Sequence, residues 1–272
     1  MKNNIIRDIS MRFPGGREKA LTFSYDDGVI YDEKLASILN AHKMKGTFNV
    51  NSEFLGMDKH HLTKEKALEV YKGHEVSVHG TYHADFTKVP TSRAVCEMIE
   101  DRINLEKCFN TIVRGMAYPY GTYNDEVVSA AKSCGIVYSR TTKSTHSFNL
   151  PENWLMLHPT CHHNDGKLME LAKQFVELKS WRGPQMFYLW GHSYEFNDNN
   201  NWNIIEEFTD FMADRDDIWY ATNMEIYNAV KAYESLIYSA DGTRIENPTL
   251  RDVWICTYDE VKKIPSGEII TL

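Results

Sequence analysis

The chain has 272 residues, 42% of them hydrophobic and 25% charged, enough apolar material for a sizeable globular core. A net charge of −8 removes the basic face that a nucleic-acid partner needs, and no apolar run of about 18 residues is present to span a bilayer. The five cysteines (Cys96, Cys108, Cys134, Cys161, Cys256) are scattered without a C-x-x-C pair, and Met1 to Asp8 lacks a secretory apolar segment, so the expectation is reduced thiols and a cytoplasmic protein.

The elements alternate along the chain. A strand over 20–25 ends in Asp26-Asp27-Gly28 and precedes a helix at about 32–44. Strand 47–50, a helix near 63–72 and strand 75–78 follow. A helix over 92–109 carries Val95, Met98, Ile99 and Ile103 at helical spacing. Strand 116–118 runs into Pro119-Tyr120-Gly121, and Asn124 caps a helix that stops at Gly135. Residues 136–139 and 154–157 read as strands, 165–179 as a helix, 186–190 as a strand, 202–213 as a helix and 218–221 as a strand. Thr222 and Glu225 form a capping box that opens a last helix to about Ser235.

This alternation predicts parallel strands with crossover helices. Seven or eight units predict an α/β fold, a closed or nearly closed (β/α)7-8 barrel over 1–235, whose chemistry sits where strands end. Residues 236–272 change character and are expected to form a small β-rich extension packed on the barrel.

Polar groups gather at the strand ends. Asp26 and Asp27 are neighbours, so a strand would aim them differently, one at a metal and one at water or substrate. His79 and His83, four apart, would share one face of a helical turn. Two imidazoles and a carboxylate suit zinc or another divalent ion with open positions for water. Tyr118-Pro119-Tyr120-Gly121 and Trp190-Gly191-His192 end two further strands.

In this order the motifs Thr22-Phe23…Asp26-Asp27-Gly28, His79…His83, Tyr118 to Gly121 and the strand ending in His192 resemble those of the polysaccharide deacetylases. These are the family-4 carbohydrate esterases with a NodB homology domain. The resemblance covers roughly residues 18–230. It implies a deformed NodB-type barrel, a divalent metal and removal of N-acetyl or O-acetyl groups from sugars. Zinc comes first, with cobalt, nickel or manganese as alternatives. Carried over, Asp27, His79 and His83 would hold the metal and Asp26 would be the base. The Tyr120 N–H would stabilise the oxyanion, and His192 would protonate the leaving amine.

The chain departs from the family pattern at three points. Gly80 follows the first His where Ser or Thr is usual, and Ala117 stands where an Arg usually orients the base. Arg140, at the next strand's end, is better placed than Arg114 to take that role. No usual Asp partner of His192 is recognisable, which leaves Glu195, Asp165 and His162 as candidates. Tyr118 and Trp190 are candidate sugar-stacking residues. Trp154 could stack or pack in the core. His158, His162 and His163 read as a solvated loop, as do His60-His61 and the run Asn197 to Asn201. The leading function is deacetylation of an acetylated carbohydrate. A hydrolase of a non-sugar cyclic amide or ureide on the same scaffold is the second reading, and a non-catalytic carbohydrate-binding relic the third.

Overall fold

The computed structural model describes residues 9–179, 183–257 and 260–272. In chain order the elements are β1 (Ile9–Arg12), β2 (Lys19–Asp26), α1 (Asp32–Ala41), β3 (Gly46–Val50), α2 (Lys64–Val70) and β4 (Glu75–Val78). Then come α3 (Thr91–Phe109), β5 (Gly115–Ala117), α4 (Asp125–Ser133), β6 (Tyr138–Arg140), β7 (Cys161–His162), α5 (Leu168–Glu177) and β8 (Gln185–Gly191). Next are α6 (Ser193–Asp198), α7 (Asn203–Met212), β9 (Ile218–Tyr220) and α8 (Asn223–Glu234). Five short strands follow: β10 (Ile237–Tyr238), β11 (Arg244–Glu246), β12 (Val253–Thr257), β13 (Glu260–Ile264) and β14 (Ile269–Thr271). Among the described residues no helix is long and apolar enough to cross a membrane.

Among the described residues eight parallel strands form one sheet, seven in the order β6-β5-β4-β3-β2-β8-β7 and β9 off this path beside β2. One edge of β2 pairs with β8 along its length. The other edge is shared, with β9 on Lys19 to Leu21 and β3 on Phe23 to Asp26. The sheet curls until its ends meet. Leu157 bonds both Ser139 O and Thr141 N of the β6 side at 2.9 and 3.0 Å, and four residues later β7 pairs with β8. This is the deformed barrel expected of the NodB type.

Strand parity divides the molecule. Leu21, Phe23, Tyr25, Phe48, Val50, Val76, Val78, Phe187 and Leu189 face outward into one core with Leu35, Leu39, Met98, Leu105, Phe175 and Phe208 of the surrounding helices. The alternate positions line the barrel and are largely polar. Thr22 donates to Asn223 at 2.8 Å and Asn223 donates to Tyr188 at 2.7 Å. Thr47 and Tyr138 both donate to Glu75, at 2.9 and 2.5 Å. Asn49 donates to Ser24 at 2.8 Å and accepts from Ser77. A buried polar lining is tolerated because its members satisfy one another. The same parity carries Asp26, His79, Arg140 and Trp190 to the C-terminal mouth.

Two expectations fail. Trp154 to Met156 is a 3-10 turn, not a strand, because Asn153 caps it by accepting the Leu155 N–H. In α3, Ile103 is 42% exposed, and the buried face instead carries Glu97 and Asp101 with Ala94, Met98 and Leu105. The C-terminal strands form two antiparallel sheets, β1-β12-β13 and β10-β11-β14, so the first of them recruits the N-terminal β1. Residues 1–8, read above as lacking a secretory apolar segment, and Tyr258, within the expected C-terminal extension, lie outside the described residues.

Gly115 lies beside Tyr138 in the β5–β6 ladder, and a β-carbon there would overlap the tyrosine ring and hydroxyl. Gly115→Ala is expected to destabilise the barrel by about 1–3 kcal/mol. A lower urea midpoint at unchanged slope checks this; an unchanged midpoint contradicts it.

Candidate active site

Asp26 is the last residue of β2 and is 2% exposed. Its Oδ1 accepts from Asn49 Nδ2 at 2.7 Å and its Oδ2 accepts from Arg140. Burial pushes the carboxyl up, but Arg140, then His79 and His192, pull it down to about 2, so it is held as a carboxylate. Asp27 follows with φ +81°, a left-handed backbone that turns its side chain away from that of Asp26. The Asp27 N–H donates to Asn49 O at 2.9 Å. Asn49 thus grips both acids, one through its side chain and one through its backbone.

The segment from His79 to His83 is an irregular loop, not the helical turn that the spacing suggested. Gly80 at φ +80° and His83 at φ +57° bend it back on itself. The glycine is therefore required where the family has Ser or Thr: a side chain would sit at a strained angle, with Phe86 3.2 Å from its β-carbon. Helix α3 fixes the loop. Asp101 accepts the backbone N–H groups of Ser52 and His79 at 2.7 and 2.9 Å, and Glu97 accepts that of Tyr82 at 2.8 Å. Asn51 donates to the carbonyls of His79 and Gly80, both at 2.7 Å.

This geometry brings three donor atoms together. His79 Nε2 and His83 Nε2 are 3.2 Å apart, and Asp27 Oδ1 lies 3.6 and 3.7 Å from them. Ligands about 2.1 Å from a shared tetrahedral ion lie about 3.4 Å from each other, so the set fits a divalent cation. The tautomer fits as well. His79 Nδ1 is 2.9 Å from Ala117 O, an acceptor only, so Nδ1 carries the proton and Nε2 offers its lone pair to the cluster.

Opposite stand Arg140 and His192. Arg140 is fully buried, with its guanidinium 4.3 Å from the Trp190 ring. His192 follows β8, with Nε2 3.7 Å from Asp26 Oδ2 and Nδ1 3.0 Å from Glu195 Oε1. Glu195 is the partner of His192; Asp165 instead pairs with His146 at 2.7 Å. The other Glu195 oxygen lies 3.1 Å from His162 Nε2, 2.9 Å from His163 Nε2 and 3.3 Å from Asn164 Nδ2. His162 Nδ1 accepts the Asn164 N–H at 3.1 Å, so its Nε2 bears the proton and donates to Glu195. Glu195 thus links His162 to His192, and the His162 tautomer leaves its Nε2 no lone pair to offer an ion. The solvated-loop reading fails for His163, which is 1% exposed and stacked at 4.0 Å on Phe196. Its ring also occupies the space that a side chain at Gly191 would need.

Tyr120 lies in a turn at φ +59°, its ring 4.5 Å from that of His83, and among the described residues its N–H has no hydrogen-bond acceptor. Tyr118 cannot stack on a sugar: it is fully buried and donates to Leu155 O at 2.9 Å. Trp190 is 8% exposed and presents a face to Arg140. Trp154 packs in the core against Tyr227. Exposed rings near the site belong to Tyr82 and Tyr120. Tyr194, which sequence reasoning missed, sits 5.1 Å from His192 with no hydrogen-bond partner for its hydroxyl among the described residues. Burial, then Asp27, push that phenol up to about 12. Asn49, Asn51, Glu97 and Asp101 were missed too; polar residues inside apolar strand and helix faces were the available signal.

Residues 14–139, a little under half of the chain, match the family described as polysaccharide deacetylase. YxkH of Bacillus subtilis (strain 168), named for the same family, is 27% identical over 128 residues, which are 46% of each chain. The Streptococcus pyogenes deacetylase PplD, solved with acetate, is 25% identical over 50% of this chain and 61% of its own, with a TM-score of 0.47. A Mycobacterium smegmatis structure named for the family shares the fold more fully. It has a TM-score of 0.62 at 18% identity, over 83% of this chain and 94% of that one. The chain thus spans about half the length of the curated relative it matches. The family match stops one residue before Arg140, with His192 and Glu195 beyond it.

Arg140→Met should leave Asp26 buried without its counter-charge, at a cost of about 3–5 kcal/mol. Adding Asp26→Asn should restore part of that loss. Urea unfolding of the two variants and the parent, all in chelator, checks the pair; equal stability of parent and Arg140→Met contradicts it.

Proposed function

We propose that this protein is a metal-dependent hydrolase that removes acetyl groups from an acetylated carbohydrate, with an N-acetylated sugar as the leading substrate. The observation that carries the reading is the triad of Asp27, His79 and His83, set beside a second carboxylate that Arg140 keeps ionised. The triad would hold a divalent ion, zinc first, with cobalt, nickel and manganese as alternatives. When bound, that ion supplies Lewis acidity towards the acetyl carbonyl and makes water more acidic.

The chain's own groups divide the remaining work. Asp26 accepts a proton from the attacking water. The free N–H of Tyr120 would donate to the oxygen on which negative charge develops. His192, charged and held by Glu195, gives its proton to the departing nitrogen, which leaves as a neutral amine beside acetate. Burial disfavours the charged form of His192, but its hydrogen bond to Glu195 and the charges of Asp26 and Asp27 hold its pKa above the ordinary 6.5.

The cyclic-amide reading calls for a closed, Arg-lined cup. Arg140 is fully buried and engaged with Asp26, and the exposed rings nearby are Tyr82 and Tyr120, which favours a glycan. The relic reading is disfavoured because base, triad and acid are all present.

The test is acetate release from a panel of N- and O-acetylated sugars by metal-stripped and metal-restored protein. Asp26→Asn should keep stoichiometric metal and lose turnover about a hundredfold or more. The variant with both His79 and His83 changed to Ala should lose both. Full metal content in that double variant, or equal activity of stripped and restored protein, would sink the reading.

The raised His192 pKa sets a sign for pH dependence. The acid form persists below its pKa and is lost as pH rises through it, so the alkaline limb of kcat should lie above 6.5. Glu195→Gln removes the supporting charge and leaves the burial, so the limb should move down by roughly one pH unit. An unmoved limb would take Glu195 out of this role.

A further inference from the structure

At the far end of the barrel from the triad lies a cavity of about 300 Å³, lined by Pro14, Trp219, Glu225, Arg251, Asp252 and Trp254. Trp219 is on β9 opposite Ala20, six residues before Asp26 on β2, which puts it roughly 20 Å from the catalytic mouth. Trp254 and Asp252 come from the β12 side, so the cavity spans the seam between the barrel and the C-terminal sheets.

Both indoles are half-buried, and each has one neighbour against its ring. Phe13 lies 5.7 Å from the Trp219 ring, and the Lys263 ammonium lies 5.9 Å from that of Trp254. The two acids are already engaged. Glu225 accepts from Thr222 N at 2.9 Å and pairs with Lys45 at 2.5 Å; Asp252 accepts from Lys263 at 2.9 Å and Ser266 N at 3.0 Å. Among the described residues Arg251 bonds only through its backbone, which leaves its guanidinium and the indole N–H groups of Trp219 and Trp254 as donors without a side-chain partner. Two indoles lining one cavity ask for a flat apolar face, and free donors ask for acceptor oxygens around its edge. A pyranose ring bearing hydroxyl and acetamido oxygens meets both demands.

We propose that this cavity is a second glycan-binding site, separate from the catalytic mouth, that holds an N-acetylated sugar ring of the polymer on which the enzyme acts. The proposal rests on the carbohydrate reading for its choice of ligand. At such a distance the site tethers a polymer; it takes no part in the chemistry.

The probe is a soluble N-acetylglucosamine tetramer, titrated into the uniformly 15N-labelled full chain while the indole N–H resonances are followed. Trp219→Phe and Trp254→Phe assign the two signals. Both should shift on titration, and should still shift in the variant with His79 and His83 changed to Ala, which removes the catalytic mouth as the cause. Arg251→Ala, at an exposed position that does not threaten the fold, should raise the half-saturation concentration about tenfold. In the active protein it should raise KM for polymer and leave kcat on the tetramer unchanged. Unmoved indole signals at saturating tetramer, or Arg251→Ala indistinguishable from parent, overturn the proposal. The two readings fail separately: acetate release without indole shifts removes this site alone, and indole shifts without acetate release remove the deacetylase assignment and leave the site standing.

Discussion

The contact between Asp26 and Arg140 organises the molecule. A carboxylate at 2% exposure is tolerated only with a charge partner and its lone pairs filled, and Arg140 with Asn49 meets both needs. The partners end β2 and β6, which stand four strands apart in the sheet. In a flat sheet that would be roughly 19 Å. They touch because the sheet curls, so the ion pair and the barrel's curvature require each other. Trp190 stacks on the guanidinium from β8 and ties a third strand to the same point.

Around this pair the backbone is held in conformations that ordinary residues avoid. Asp27, His83 and Tyr120 all have positive φ. Each such residue costs on the order of 1–3 kcal/mol and persists only where its surroundings over-determine it. Here they do. Asn49 holds Asp27, and Asn51, Glu97 and Asp101 hold the loop from His79 to His83 through its backbone. The donor atoms of the triad are thus brought within 3.7 Å of one another by the fold itself.

The barrel interior explains how one fold carries both a stable body and a charged mouth. Apolar residues face the helices, while Thr22, Ser24, Thr47, Asn49, Glu75, Ser77, Tyr138 and Tyr188 hydrogen-bond across the inside. That lining prepares for the charges above it: Asn49 is part of the network and of the grip on Asp26. Glu195 extends the same logic to the His192 side, where three imidazoles converge on one carboxylate.

The sequence by itself determined the alternation of strands and helices, the parallel barrel that follows from it, and the identity of Asp26, Asp27, His79, His83, Arg140 and His192 as groups at strand ends. These are local matters: hydrophobic period, caps such as Asn124 and Thr222, and charges where an apolar run stops. Strand parity was also legible in Thr22-Phe-Ser-Tyr-Asp26, whose polar members all face inward. Only the tertiary structure decided which charges meet. Glu195 rather than Asp165 partners His192, because α6 returns the chain within one helical turn whereas Asp165 faces His146. Tyr118 is buried although its motif sits at a strand end, because the chain around Leu155 closes over it. Glu97 and Asp101, hidden in a helical pattern that suggested Ile103 as core, turn inward to bind backbone N–H groups that no local rule locates. Contacts between residues far apart in the chain depend on how the sheet curls, and curvature is a property of all its strands together.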